Sequence, residues 1–175
     1  MPTTVPRSRL WKRPARWANL AGILASLVTV AVLVVSPGQA MAALNYTGII
    51  RNWTTGNCLD SNHAGNVYAI GCNGGNYQGW KLEYAKTRSG MDGYRMVNQQ
   101  TGRCLDSNQR QMVYTLPCNG GPYQTWRFYN PTGDGIHYWL IDDATGYVLY
   151  NLGTGVQTGR YAGGETDYMQ WRPGW

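Results

Sequence analysis

The chain has 175 residues, with fifteen Lys/Arg against nine Asp/Glu and a formal charge of +6 at pH 7. Five of the basic residues (Arg7, Arg9, Lys12, Arg13 and Arg16) lie in the first 42 positions, which hold no acid, so ten face nine from Ala43 onward, a net of about +1. That near balance gives no case for nucleic-acid binding, which would want a basic face on the folded domain, and no run of like charges remains.

In chain order, the positive leader is followed by an almost wholly apolar run from Ala18 to Val35, broken by Ser36, Pro37 and Gly38. Ala40-Met41-Ala42 then offers small residues at the −3 and −1 positions of a cleavage site. The segment 1–42 therefore reads as a secretory signal peptide cut after Ala42. The alternative is an uncleaved anchor, for which 18 apolar residues are just long enough. The cleavage-like site favours removal, so the membrane is met only through the leader and the product is expected to be secreted and extracellular. No adjacent arginine pair is present, which favours general secretion over the twin-arginine route.

Removing 42 of 175 residues leaves 133, enough for one domain. The chain is rich in Gly (23), Tyr (13) and Trp (8) and has a single Phe. That composition suits short strands and many turns rather than helices. No apolar i, i+3, i+4, i+7 pattern is sustained after Ala43.

Four cysteines, Cys58, Cys72, Cys104 and Cys118, lie in this part. An even count in an exported chain points to disulfides, with three pairings open. A zinc site would want close Cys pairs, which the spacing does not supply. No metal or other cofactor is expected.

Aligning the chain with itself narrows the choice. Thr54 to Trp80, "TTGNCLDSNHAGNVYAIGCNGGNYQGW", overlays Gln100 to Trp126, "QTGRCLDSNQRQMVYTLPCNGGPYQTW", with sixteen of 27 positions identical and no gap. A worn third copy, Ala144 to Trp171, keeps Thr145-Gly146, Leu149, Gly163-Gly164, Tyr168 and Trp171. The chain after the leader is thus a threefold repeat, at about 44–89, 90–134 and 135–175. In the first unit, strands are expected near 48–52, 57–61, 67–72 and 80–84, with Thr55-Gly56, Ala64-Gly65 and Asn73-Gly74-Gly75 as turns. Four strands per unit give about twelve, an all-β barrel or sandwich. Equal units should repeat equal local bonds, which favours Cys58–Cys72 and Cys104–Cys118. Each closes a loop of about 15 residues, worth about 3 kcal/mol through the unfolded state.

The repeat closed by Gln78-Gly79-Trp80 and Gln124-Thr125-Trp126 resembles the ricin B-type β-trefoil lectins over essentially all of Leu44 to Trp175. Within that family, "LDSN…VY…CNGGxYQxW" is most similar to the actinohivin-like secreted actinobacterial lectins. The resemblance implies a β-trefoil with one shallow sugar pocket per unit, accepting α1,2-linked mannose of high-mannose glycans. Carried over by position, the first pocket is Asp60, Tyr68, Asn73, Tyr77 and Gln78. The second is Asp106, Tyr114, Asn119, Tyr123 and Gln124. The broader family has an aromatic residue two positions before the second cysteine, stacking on galactose-type sugars. Ile70 and Leu116 stand there instead, which argues against galactose or xylan.

These residue types suit a sugar without the family. A carboxylate accepts two neighbouring hydroxyls through strong charged hydrogen bonds. An amide donates and accepts. A tyrosine offers a ring to the C–H face and a hydroxyl to the edge. Each also has a plainer reading. Asp60 and Asp106 could cap turns, as could Asn73 and Asn119. Tyr68 and Tyr114 could be sheet surface, and Tyr77 and Tyr123 packing residues. The third unit separates the two readings in part, since it has Tyr150 for the Asp, Gln157 for Tyr68, Ala162 for the Asn and Met169 for the Gln. Glu165-Thr166 looks like an insertion there. The core markers survive while the polar anchors change, so pockets are expected in the first two units only. Trp80, Trp126 and Trp171 read as core, and Gln78 and Gln124 as supports for the pocket. His63 and His137 read as exposed turn residues.

The expected partner is a glycan or polysaccharide, including those of cell-surface glycoproteins. An enzyme is disfavoured, because glycoside hydrolysis needs paired carboxyls roughly 5–9.5 Å apart and each pocket motif holds one acid. Two sequons, at Asn45 and Asn52, fit the N-glycosylation pattern by chance. A trefoil protease inhibitor would need a protruding loop, for which the repeats leave no insertion.

Overall fold

The computed structural model describes residues 46–163 and 167–174. The leader, its cleavage site, Asn45 and the Glu165-Thr166 insertion lie outside the described residues.

Twelve strands follow one another in three sets of four. The first set is β1 (Thr47–Asn52), β2 (Cys58–Ser61), β3 (Val67–Ile70) and β4 (Gly79–Lys86). The second is β5 (Asp92–Asn98), β6 (Cys104–Ser107), β7 (Val113–Leu116) and β8 (Trp126–Tyr129), and the third is β9 (Tyr138–Asp142), β10 (Val148–Asn151), β11 (Val156–Gly159) and β12 (Gln170–Gly174). Short 3-10 turns at Pro122–Gln124 and Asp167–Met169 precede the last strand of the second and third sets.

The first and last strand of each set pair antiparallel with their neighbours in a ring, β1–β4–β5–β8–β9–β12 and back to β1. Ile49 opposite Gly174 and Ile50 opposite Pro173 close it. Closure leaves no free edge, the feature an exposed β-sheet must otherwise protect. The middle strands form three hairpins, β2–β3, β6–β7 and β10–β11. These interlock cyclically. Thr115 N donates to Gly65 O at 2.8 Å, Thr158 N to Gln111 O at 3.0 Å and Ala69 N to Thr154 O at 3.0 Å. A six-stranded barrel with three hairpins in threefold arrangement is a β-trefoil, as the family resemblance implies.

The repeated residues explain the fold. Trp80, Trp126 and Trp171 are fully buried. Each indole N–H donates to a leucine carbonyl of its own unit: Leu59 O at 2.9 Å, Leu105 O at 3.0 Å and Leu149 O at 3.0 Å. A tryptophan thus brings a large apolar area to the core with its one polar atom satisfied. The Thr-Gly pairs mark a second threefold device. Asn52, Asn98 and Asp142, all fully buried, accept from the backbone N–H of Thr55, Thr101 and Thr145 at 3.1, 3.1 and 2.7 Å. Gly56, Gly102 and Gly146 follow with φ of 69°, 67° and 71°, a left-handed turn that favours glycine. Asn52 is therefore a turn residue sealed in the core, and its sequon is sterically closed.

Both disulfides are local, Cys58–Cys72 and Cys104–Cys118. In the third unit Val148 is buried at the first half-cystine place. Tyr161 holds the second, and its ring packs 4.7 Å from that of Trp139. An aromatic contact stands where the other units have a covalent one.

Candidate functional site

Each candidate site is built across a middle hairpin. Asp60 on β2 pairs with Tyr68 on β3, and Asp106 on β6 with Tyr114 on β7. The strand alternates faces, so Val67 and Val113 turn to the core and the tyrosines turn away, half-buried. The carboxylates are nearly closed off, at 2% exposure for Asp60 and 3% for Asp106. Burying a charge costs heavily unless polar neighbours receive it.

In the second repeat one neighbour does. Gln124 Nε2 donates to Asp106 Oδ2 at 2.8 Å and to Pro117 O at 3.2 Å, while its Oε1 accepts from Asn119 N at 2.8 Å. One buried amide therefore ties the acid, the loop carbonyl and the Asn-Gly-Gly turn together. In the first repeat Gln78 accepts from Asn73 N at 2.8 Å and donates to Gly71 O at 3.1 Å. Asp60 Oδ1 is left buried with no hydrogen-bond partner among the described residues. An acceptor so placed suits a ligand hydroxyl.

Asn73 and Asn119 spend their side-chain oxygens on the turn, accepting from Gly75 N at 2.8 Å and Gly121 N at 2.7 Å. Their amide N–H groups, and the second lone pair of each oxygen, remain to offer a ligand. Tyr77, 37% exposed, stands against the ring of His63 with centroids 5.6 Å apart. The structure thus brings His63 to the edge of the first site, a residue that sequence reasoning set aside.

Electrostatics follow burial. Burial pushes the Asp106 carboxyl above its ordinary value, and hydrogen bonds from Gln124, the Ser107 backbone and Tyr114 pull it part of the way back. The Tyr68 and Tyr114 hydroxyls are raised by burial first and then by Asp60 and Asp106 beside them.

The second site opens into a cleft of about 600 Å³, whose lining includes Asp106, Tyr114, Asn119 and Tyr123. Gln124 lies beneath, fully buried. Asn108, Gln109, Arg110 and Met112 at the hairpin tip complete the wall. Sequence reasoning missed this tip, although the signal was present: Gln109 to Met112 is where the two copies diverge, against an otherwise matching frame. Among the described residues, Asp106 is the only acid lining the cleft. No group of three or more His, Cys, Asp or Glu there could hold a metal ion, and no helix is long and apolar enough to cross a membrane.

The third repeat departs in kind. Tyr150 faces Gln157 across β10–β11, and the Tyr150 hydroxyl donates to Gln157 Oε1 at 2.9 Å. The ring and the acceptor have exchanged strands, and the charge is gone. A cleft of about 480 Å³ persists there.

A family model described as the ricin-type beta-trefoil lectin domain matches residues 46–139. Among solved structures, the chain is similar to a designed threefold-symmetric protein, ThreeFoil, at 28% identity and a TM-score of 0.60, covering 72% of this chain and 96% of that one. It is similar to SeviL bound to asialo-GM1 saccharide at 14% identity and a TM-score of 0.61, covering 74% and 96%. It also resembles an exo-beta-1,3-galactanase from Clostridium thermocellum, at 23% identity and a TM-score of 0.61, covering 75% of this chain but 30% of that one. At such identities the last two speak for the fold alone. The matched residues run through the first two repeats into β9, and the third repeat completes the same barrel, so the chain belongs to the ricin-type β-trefoil lectin domain family, a family of carbohydrate-binding domains.

Proposed function

We propose that the protein is a secreted, non-catalytic lectin that takes mannose-type glycans, α1,2-linked as in high-mannose chains, in pockets of the first two repeats. The observation that carries this reading is the duplicated pair of a nearly buried aspartate facing a half-buried tyrosine, Asp60 with Tyr68 and Asp106 with Tyr114. Such a pair presents a charged acceptor for adjacent hydroxyls and a ring edge for the sugar body. The leader and the two disulfides support export into an oxidising compartment. The resemblance of the pocket motif to the actinohivin-like lectins supports mannose. So does the aliphatic pair Ile70 and Leu116, where galactose binders of the family carry a ring. Leu116 lines the second cleft and is 39% exposed.

A galactose-type ligand, which the broader ricin B-type family takes, is the second reading; SeviL, a structure of the same fold, holds an asialo-GM1 saccharide. A glycan array, run beside hydrolysis and protease-inhibition assays, separates these. High-mannose glycans should be retained, with no sugar released and no protease inhibited. Retention of terminal galactose instead would favour the second reading, and release of sugar would overturn the non-catalytic one.

A further inference from the structure

The cleft of the third repeat is lined by Gln111, Tyr147, Tyr150, Leu152, Gly159, Arg160, Tyr168 and Met169. Its volume of about 480 Å³ falls within the usual range for small-ligand sites. We propose that it binds an acidic pyranoside, a sugar carrying a carboxylate or a sulfate, through Arg160 and Gln111 against its tyrosine wall. This goes beyond the two neutral-sugar pockets, because the aspartate place holds an uncharged tyrosine while Arg160 lines the cleft.

Three observations point the same way. First, the acid is missing and a cation has arrived. The aspartate place holds Tyr150, and no acidic side chain lines the cleft among the described residues. Arg160 stands one residue after β11, where the other repeats have Gly71 and Pro117. It forms no ion pair among the described residues and leans over the Tyr147 ring at 5.8 Å. A guanidinium is a planar fork of donors matched to carboxylate and sulfate oxygens. Second, Tyr147, Tyr150 and Tyr168 give the cleft three rings, while the Tyr150 hydroxyl is already spent on Gln157. Its ring is thus left for C–H faces. Third, Gln111 reaches in from the neighbouring repeat's hairpin tip. It has φ of 68°, the only non-glycine residue with positive φ among those described, at the place where the first repeat has Gly65 with φ of 89°. Only its backbone is used in the fold, accepting from Thr158 N at 3.0 Å and donating to Asn108 O at 3.1 Å. A side chain kept in a conformation that glycine adopts freely, in the wall of a cleft, suits a ligand contact.

The test is calorimetry of the mature protein with methyl glucuronide, methyl glucoside and methyl glucoside 6-sulfate as probes, at low and high salt. The acidic probes should bind once per chain, at least tenfold more tightly than the neutral one, and weaken as salt rises. The comparison of glucuronide with sulfate tells which anion the fork prefers. Arg160→Gln should lower acidic-probe affinity at least tenfold with an unchanged melting temperature. Gln111→Gly should melt no lower, since it relieves the backbone, yet bind severalfold more weakly. Arg110→Gln is the control for the second cleft. Equal binding of the neutral probe, an unaffected Arg160→Gln, or a loss that follows Arg110 instead would each overturn the proposal, as would no binding of either acidic probe. High-mannose binding is read separately on the array, so either reading can fail while the other stands.

Discussion

Asp142 sits where the other repeats have Asn52 and Asn98, and the exchange has a cost. Asn52 Nδ2 donates to Tyr168 O at 2.9 Å and Asn98 Nδ2 to Tyr77 O at 2.7 Å, each reaching into the neighbouring repeat. Asp142 keeps the turn through Oδ1, but a carboxylate has no N–H to donate to the neighbouring repeat as the two asparagines do. Burial raises its carboxyl above the ordinary value, against the pull of hydrogen bonds from Thr145, the Ser107 side chain and the Ala144 backbone. A raised folded-state value means that the fold prefers the protonated acid. The stability it contributes is full below the unfolded value of about 3.9 and is lost as pH rises through the folded one. Asp142→Asn should therefore stabilise the protein near neutral pH by about 0.5–1.5 kcal/mol, the worth of one recovered hydrogen bond, and flatten that part of the pH dependence. Urea unfolding at pH 4 and pH 7 measures both. Asp106 shifts in the same direction, with a consequence for binding. Only its ionised form accepts two hydroxyls, so sugar binding at the second repeat should fade on acidification at a higher pH than an ordinary carboxylate would. Calorimetry with mannobiose between pH 7 and pH 4 should show this, and Asp106→Asn should bind weakly throughout.

The strands themselves are ordinary, and what individualises them is how each set is tied. Every set ends on a strand whose tryptophan reaches back to the carbonyl of its own Leu59, Leu105 or Leu149. Trp126→Ala should cost about 3–5 kcal/mol, from lost burial plus the cavity. That is a large share of the 5–15 kcal/mol typical of a domain. Denaturant unfolding should place this loss well above that of any surface change. The hairpin loops carry a second tie, covalent in two sets and aromatic in the third, through Trp139 and Tyr161. Tyr161→Ala should leave the barrel folded and raise amide exchange in the β11–β12 loop, since a ring contact is worth only about 0.5–1.5 kcal/mol beyond its area.

At the scale of the molecule, threefold closure makes valency a property of the fold. The two aspartate–tyrosine pairs belong to different hairpins of one rigid ring, so a branched glycan or a dense surface can engage both. Linked sites gain about 10²–10⁴ in avidity without any new contact. Two neutral sugars should bind per chain. Asp60→Ala should halve the calorimetric stoichiometry for mannobiose while reducing retention on a high-mannose surface far more than twofold. The Asp60→Ala/Asp106→Ala protein should stay folded and bind no mannobiose.

The sequence alone determined the repeat, the number of strands, the disulfide pairing and the place of the three tryptophans. Each is a local pattern copied at a fixed spacing, and a copied pattern can be read without knowing what it touches. Through the family resemblance it also marked Asp60, Tyr68, Asn73, Tyr77 and Gln78 and their counterparts as sets, and the worn third copy, which keeps Tyr168 but changes the other four, set those four apart from the core. Tertiary structure decided what those sets meet. Gln124 holds Asp106 whereas Gln78 does not reach Asp60, though the two motifs are nearly identical. The wall at Gln109, Arg110 and Met112, the approach of His63 to Tyr77 and the reach of Gln111 into the third repeat all depend on how neighbouring hairpins interlock. Contacts between residues far apart in sequence leave no periodic mark along it. They arise only once the ring closes, and so the third repeat, worn as a motif, still encloses a cleft.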